Sequence, residues 1–258
     1  MMIQFNIQRF GKLACWTLRN ERNFLVRNTL QMLVAMSLIY LFFTFGFLKI
    51  NGSTANYPAC GMATLMMFTV FLTIGPGTMF NSMKGKYDRQ ALLMLPASNF
   101  EKYLMRYASW LILLPLFIVS VLCADLIQYA VNYMLGNEKT MFVASKAMEL
   151  LSRSWTDTPA KELNGLIIPL ACFHAAYALG GTFFRSPKYA WVFTTLVIIL
   201  IVILMAWLLP SSVNLNEQSS DRLFMAWNSL TVVWVILAFW LSYKVFCKTQ
   251  VIGKYVNL

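Results

Sequence analysis

Three polar side chains interrupt the apolar runs of this sequence and are its first candidates for chemistry. Asp125 stands inside one apolar run with Gln128 one helical turn later, and His174 stands inside another. A carboxylate at the centre of a membrane helix costs about 2.5–3.5 kcal/mol on insertion scales, so it is expected to face protein or water rather than lipid. Asp125, Gln128 and His174 therefore form a candidate intramembrane polar site.

These residues also have a structural interpretation, and the sequence leaves both alternatives open. Asp125 can lie in the outer third of a long helix, near water, and pair with a neighbouring group. His174, the only histidine, can hydrogen-bond between packed helices instead of relaying a proton.

Motifs for nucleotide, metal and acyl-transfer chemistry are missing from the sequence. It has no Gly-x-x-x-x-Gly-Lys-Ser/Thr loop, no pair of histidines for a zinc helix and no Gly-x-Ser-x-Gly motif. The five cysteines share no Cys-x-x-Cys spacing. We therefore expect a protein that is not an enzyme, with no catalytic residue, metal site, cofactor or disulfide. Any nucleotide energy must come from another chain.

The composition indicates where the polar residues have to be positioned. Of the 258 residues, 59% are hydrophobic and 12% charged, with a mean hydropathy of +0.62, whereas soluble domains have about 25% charged residues. An ordinary soluble domain is excluded. The net charge of +11 does not indicate nucleic-acid binding, because the basic residues stand between apolar runs.

The apolar runs have the length of membrane-spanning helices, about 20 residues. They lack the alternation of a barrel wall, and lipid tolerates only helices or closed barrels, so an all-α membrane protein is expected. We expect no cleavable signal peptide and a single transmembrane domain over residues 1–258. Six spans are predicted, at 30–48, 61–83, 108–135, 163–184, 190–209 and 227–243.

The positions of Lys and Arg predict the orientation of these spans. Most of the 21 basic residues precede the first span, lie between the second and third, or follow the fourth and sixth. Basic residues favour the cytoplasmic side, so both termini are expected there. This basic surface should also hold anionic lipid headgroups, at about 1 kcal/mol per residue. The segment 136–162 is expected to face outward and to contain a short helix at 142–153.

Residues 1–29 are predicted to form an amphipathic helix that lies in the membrane interface before the chain turns into the first span. The basic residues lie largely outside its apolar stripe. That stripe follows a three- to four-residue spacing and consists of Ile3, Ile7, Phe10, Ala14 and Leu18.

The segment between the second and third predicted spans, 84–106, is too long for a plain hairpin turn. Pro96 disfavours a helical Leu95 and ends a first short helix. Ser98 and Glu101 have the spacing of a capping box, which starts a second helix. Apolar side chains on the water side are expected to pack into a groove of a partner or against the chain's own spans; these are Leu92, Leu93 and Leu95.

The run Leu92-Leu93-Met94-Leu95-Pro96-Ala97-Ser98, followed by Glu101-Lys102, resembles the cytoplasmic loop of ATP-binding-cassette permeases of the second exporter type. The interfacial helix and the six-span plan are similar to that family too. In that family the loop carries a coupling helix that sits in a cleft of a separately encoded ATPase. A glycine usually stands about nine positions before the proline, where this chain has Tyr87. The resemblance assigns ATPase coupling to Arg89, Leu92, Leu95, Pro96, Ala97, Ser98, Asn99 and Glu101.

The resemblance implies a permease subunit of an ATP-driven exporter in the bacterial inner membrane, which moves an unidentified substrate by alternating access. Its implied partners are a separately encoded ATP-binding-cassette ATPase and a second permease subunit, identical or different. Three alternatives remain open. The segment 84–106 can simply close a six-helix bundle, the chain can be a non-transporting structural or interaction protein, or it can be a secondary transporter. The scarcity of buried ionisable residues disfavours secondary transport.

Overall fold

The computed structural model describes residues 5–46, 56–82, 86–136, 140–157, 160–184, 189–208 and 217–248. Within these ranges the protein is all-helical, with 91% helix and no β-strand. The predicted all-α fold is therefore confirmed for the described part of the chain.

Eight α-helices make up most of the described ranges. A π-helical turn, Phe42–Gly46, continues the first of them, and a 3-10 turn, Gly75–Thr78, continues the second. In chain order the helices are α1 Ile7–Leu41, α2 Tyr57–Ile74, α3 Lys86–Met94, α4 Asn99–Met134, α5 Val143–Asp157, α6 Ala160–Phe183, α7 Ala190–Leu208 and α8 Glu217–Lys248.

Four of the helical segments are long and apolar enough to cross a membrane, which is the basis for describing this chain as a membrane protein. These segments are Ile7–Phe45, Tyr57–Thr78, Asn99–Met134 and Ala226–Lys248. The apolar parts of α6 and α7 are shorter within the described residues, at Ile167–Phe183 and Ala190–Leu204. The prediction of six spans therefore stays a prediction.

The N-terminal helix differs from its prediction. Instead of a separate interfacial helix that ends near residue 29, α1 runs without a break from Ile7 to Leu41. The physical reason lies in the sequence, because no glycine or proline occurs between residues 12 and 45 to end the helix. At 1.5 Å per residue, α1 is about 53 Å long, well beyond the roughly 30 Å of a hydrocarbon core.

The side of α1 that packs inside the molecule is not the predicted apolar stripe. Leu13, Thr17 and Glu21 are buried, whereas Ile7 and Leu18 of the stripe are exposed. Ile3 lies outside the described residues. Ile7 and Leu18 are therefore left free to contact lipid or another protein, whereas Phe10 and Ala14 of the stripe are half-buried.

The chain divides into two compact units by its internal contacts. The first comprises Met1–Cys15, Leu72–Tyr107 and Asn164–Leu258, and the second comprises Trp16–Phe71 and Ala108–Leu163. Helices α1, α2, α4 and α6 each contribute residues to both units. The division therefore runs through helices and does not fall at a loop.

The core of the second unit joins α1, α2, α4 and the start of α5. The Tyr40 hydroxyl hydrogen-bonds the Thr64 hydroxyl at 2.7 Å, and Phe71 stacks on Phe117 with ring centroids 5.3 Å apart. The buried apolar residues are Met36, Tyr40, Tyr57, Cys60, Phe117, Val121, Ala124 and Val143.

In the first unit, glycines allow three helical segments to approach closely. A Cβ on Gly181 would lie 3.0 Å from the carbonyl oxygen of Pro76, and a Cβ on Gly180 would collide with the Thr194 side chain. Small residues at such crossings let membrane helices pack backbone to backbone. The end of α6 therefore lies against the end of α2 and the start of α7.

Candidate functional site

The segment with the strongest functional prediction folds as a helix, a sharp bend and a second helix. Helix α3 ends at Met94, residues 95–97 form the bend, and α4 begins at Asn99. We call residues 86–106 the elbow. The bend follows from Pro96, which cannot donate a backbone hydrogen bond and disfavours helix at the residue before it.

The predicted capping box is present at the start of α4. The Ser98 backbone N–H donates to Glu101 Oε2 at 2.8 Å, and the Glu101 backbone N–H donates to the Ser98 hydroxyl at 3.2 Å. These reciprocal bonds satisfy two backbone donors that the first turn of a helix leaves without partners. The prediction of a new helix at this point is confirmed.

Glu101 has a second role that the capping box did not predict. Its side chain is fully buried and receives a forked ion pair from Arg9 of α1, with Nη2 2.6 Å from Oε1 and Nε 2.8 Å from Oε2. The Asn6 backbone N–H also donates to Oε1 at 2.8 Å. A buried carboxylate is tolerated only when it is paired and hydrogen-bonded in this way. The start of α1 is therefore fixed to the elbow.

Lys102 connects the two arms of the elbow directly. It is buried, and its ammonium donates to the Leu93 carbonyl oxygen at 2.7 Å. That carbonyl belongs to the last turn of α3, where carbonyl groups lack helical partners and favour positive charge. Lys102 thus caps α3 from the first turn of α4.

An apolar cluster holds α3 against the ends of other helices. Leu92 is only 3% exposed and packs with Tyr103 of α4 and Phe246 of α8. Phe246 also stacks on Phe80, which follows the end of α2, with ring centroids 5.9 Å apart. Leu95 is partly buried against the same cluster. The alternative that these leucines pack inside their own chain is therefore correct for Leu92 and, in part, for Leu95.

The opposite face of α3 has no cover within the described residues. Tyr87 is 82% exposed and Met94 is 84% exposed, and Ala91 between them is exposed as well. Their i, i+4, i+7 spacing places them on one side of the helix. α3 therefore has one apolar face inside the molecule and a second apolar face outside it.

The remaining predicted coupling residues lie around the bend. Pro96 and Asn99 are exposed, and Ala97 and Ser98 are half-buried. Arg89 is part of α3, but its side chain lies outside the described residues. The elbow thus brings the predicted residues into one segment, while Leu92 and Glu101 are turned inward and hold its shape. The sequence prediction missed Tyr87 and Met94 as exposed positions, and Arg9, Lys102 and Phe246 as supports.

Asp125 caps the start of α5. Its Oδ1 accepts the Val143 backbone N–H at 2.8 Å and its Oδ2 accepts the Ala144 N–H at 2.9 Å. Carboxylates bind well to the free N–H groups at a helix start. The structural interpretation of Asp125, a carboxylate that pairs with a neighbour, is the one that these contacts support.

Gln128 and Asn132 extend this cap along α4. The Gln128 side-chain amide donates to Asp125 Oδ1 at 2.9 Å and to the Met141 carbonyl at 3.0 Å. Asn132 donates to the Gln128 side-chain oxygen at 2.9 Å. All three side chains are buried. They form a satisfied polar ladder that fixes the chain entering α5, and Asn132 is a member that the sequence prediction missed.

His174 is not close to Asp125 in sequence and belongs to the other compact unit. Its Nδ1 lies 2.7 Å from the Leu72 carbonyl oxygen, and its Nε2 lies 2.5 Å from the Tyr107 hydroxyl. A carbonyl only accepts, so Nδ1 carries the proton and Nε2 accepts from Tyr107. In an α-helix the carbonyl of residue 72 accepts from the N–H of residue 76, which Pro76 lacks. His174 therefore supplies the donor that Pro76 removes.

Two further observations concern metal binding and similarity to known proteins. Across the described ranges, no group of three or more His, Cys, Asp or Glu side chains is placed to hold a metal ion. No protein-family model, no curated protein and no solved structure matches the chain.

Proposed function

We propose that this chain is the membrane-spanning permease subunit of an ATP-driven exporter, and that the elbow is where a separate ATPase contacts it. The observation that carries the proposal is the two-sided packing of α3. Its inner face is buried through Leu92, and its outer face presents Tyr87 and Met94 to solvent. An exposed apolar helix face on a braced support fits the groove of a partner.

The connections of the elbow would carry a displacement of α3 into the membrane helices. Lys102 and the bend join α3 to α4, a continuous helix of 36 residues. The ion pair of Glu101 joins α4 to α1, and Phe246 joins α3 to α8. In this proposal, closure of the ATPase moves α3, and the spans change between inward- and outward-facing states. Each state needs different contacts with the ATPase for the cycle to be driven.

A six-span topology agrees with the contacts in the first compact unit. The start of α1, the end of α2 and the end of α8 contact the elbow through Asn6, Phe80 and Phe246, and the start of α4 is part of the elbow itself. The end of α6 and the start of α7 lie together against the Gly75–Thr78 turn. The starts and ends of successive helices lie together in this alternating order when each helix crosses the membrane once. The helices concerned are α1, α2, α4, α6, α7 and α8. We therefore propose six spans with both termini and the elbow in the cytoplasm.

The basic residues before and after these spans support that orientation. They are concentrated at the start of α1 and around the elbow, and basic residues near span ends favour the cytoplasm. In the proposed assembly this surface contacts anionic lipid, a second permease subunit completes the membrane domain, and the chain itself catalyses no reaction. Bacterial inner-membrane location is part of the same proposal.

The proposal can be tested by purifying the tagged protein from its native membranes and measuring vanadate-sensitive ATP hydrolysis in the eluate. The wild-type protein is expected to bring an ATPase with it. Met94→Asp places a charge on the outer face of α3 and should remove at least about nine-tenths of that activity, because an unpaired charge in an apolar contact is costly. The yield of the permease should not change, since Met94 makes no buried contact.

Met134→Asp is the matched control, because Met134 is also 84% exposed but lies at the other end of α4. It should leave the co-purified ATP hydrolysis unchanged. If the wild-type protein brings down no ATPase, or if Met94→Asp keeps it, the assignment of the elbow is wrong. The interaction protein without transport activity would then be the better description.

A further inference from the structure

Helix α5, Val143–Asp157, has three distinct sides. Val143, Ala147 and Leu150 face the protein, with the first two buried and Leu150 packed over Gly61 of α2. At about 100° per residue, Met148 and Leu151 lie roughly 100° to one side of that buried face. Both are exposed, at 65% and 46%.

The charged residues of α5 lie on the other flank. Lys146 and Arg153 each form a 2.6 Å ion pair with Glu149. Around the helix axis, these three residues lie roughly 90° from the buried face, on the side opposite to Met148 and Leu151. The hydrogen bond from Lys146 and the nearby charge of Arg153 keep the pKa of Glu149 below its usual value. An apolar flank and a charged flank therefore lie on opposite sides of the face that binds the protein.

The attachment points of α5 set its depth along two helices that are long enough to cross a membrane. Gly61 is four residues from the start of α2, about 6 Å at 1.5 Å per residue, and Asp125 is nine residues from the end of α4, about 14 Å. The headgroup layer is roughly 5–8 Å thick on each side of the hydrocarbon. Both attachment points therefore lie toward the ends of these helices, the parts of a membrane helix that are nearest to the headgroups.

The attachment is also rigid. The Asp125 carboxylate caps α5 through Val143 and Ala144, with both bonds shorter than 3.0 Å. A Cβ on Gly61 would lie 3.0 Å from Leu150 Cδ1 and 3.2 Å from the Ala147 nitrogen, so α5 rests directly on the backbone of α2. These contacts fix which side of α5 faces the protein, so the apolar flank and the charged flank keep their separate sides.

We propose that α5 is an interfacial lipid-binding helix, with the flank of Met148 and Leu151 in contact with acyl chains and the flank of Lys146, Glu149 and Arg153 in water. The occupant of the apolar flank is the phospholipid surface around the protein. Charge supports this choice, since the two flanks divide apolar from charged groups as the membrane interface does. The inference does not depend on the ATPase.

The test uses the full-length protein reconstituted in vesicles of phosphatidylcholine and phosphatidylglycerol. The photoreactive amino acid p-benzoylphenylalanine replaces Met148, Leu151 or Arg153 in three separate variants, and intact-protein mass spectrometry measures the adducts after irradiation. Met148 and Leu151 are both exposed, so the large ring is accommodated without repacking and either position serves if the other variant is poorly produced. Arg153, on the charged flank, is the matched control.

Adducts with the mass of one phospholipid should form at positions 148 and 151 at least about tenfold more than at position 153. An adduct of twice the protein mass at 148 and 151 would show that a second copy of the chain covers the flank, and would overturn the proposal. Equal lipid labelling at all three positions, or no adduct at 148 and 151, would overturn it as well.

Discussion

Replacing Glu101 by glutamine tests how firmly the elbow holds the start of α1. In the structure Glu101 accepts four hydrogen bonds, from the Asn6 and Ser98 backbone N–H groups and from two nitrogens of Arg9. Glutamine keeps one side-chain oxygen that accepts hydrogen bonds. An NH2 group replaces the other oxygen, and this group donates, so it would face the N–H groups that the lost oxygen bound. Two of the four bonds are therefore lost together with the negative charge.

The size of the effect follows from these contacts. A hydrogen bond to a charged group contributes about 1.5–3 kcal/mol, so two such bonds set an upper range of about 3–6 kcal/mol. Arg9 is 29% exposed and regains part of this through water, which leaves about 2–4 kcal/mol. At 1.4 kcal/mol per factor of ten, local opening of the contact between the start of α1 and the elbow should become roughly 30- to 700-fold more frequent.

Hydrogen exchange followed by mass spectrometry is the appropriate assay, with the full-length protein in lipid nanodiscs. Peptides that contain Asn6 or Ser98 should exchange faster in Glu101→Gln, because opening frees their amides. Glu149→Gln is the matched control. Glu149 is partly exposed, and water and salt screen its ion pairs, so its replacement should leave both peptides unchanged. Unchanged exchange of both peptides in Glu101→Gln would refute the role given to this residue.

Three further predictions concern the packing of the membrane helices. Gly61→Val should lower stability by about 1–3 kcal/mol in thermal unfolding, with a smaller loss for Gly61→Ala, because a Cβ would lie 3.0 Å from a side chain of α5; an unchanged Tm for the valine variant would contradict the packing. Asp125→Asn leaves one acceptor for two backbone donors and should cost about 1–2 kcal/mol, with cellular abundance and function falling together; function lost at full abundance would argue for a direct role. His174→Phe should cost about 1–2 kcal/mol, and less in a Pro76→Ala background, where residue 76 regains its N–H; equal costs in both backgrounds would contradict the role of His174.

The helices and the capping box could be predicted because their signals are local. Run length decides which segments are long apolar helices, and Pro96, Ser98 and Glu101 lie within six positions of one another. The short helix predicted at 142–153 corresponds to α5, Val143–Asp157. Such local sequence patterns predict a helix or a cap correctly as long as contacts with distant parts of the chain do not change the local conformation.

The supports of the elbow could not be predicted from local signals. The Arg9–Glu101 pair joins residues 92 positions apart, and nothing at either position marks the other. Hydrophobicity also does not decide which face of α3 is buried, because Leu92 on one face and Met94 on the other are both apolar. The amphipathic pattern before residue 24 predicts a separate helix, but no glycine or proline between residues 12 and 45 ends it, and α1 continues into the first apolar run.

Photocrosslinking in native membranes can show whether the outer face of the elbow binds an ATPase. The variant carries p-benzoylphenylalanine in place of Met94, with the same replacement of Met134 as control. We expect an adduct at position 94 that contains a nucleotide-hydrolysing protein, with a yield that differs between ATP and ADP with vanadate, and no such adduct at position 134. If position 94 captures no nucleotide-hydrolysing protein under either condition, the elbow is not an ATPase-binding segment.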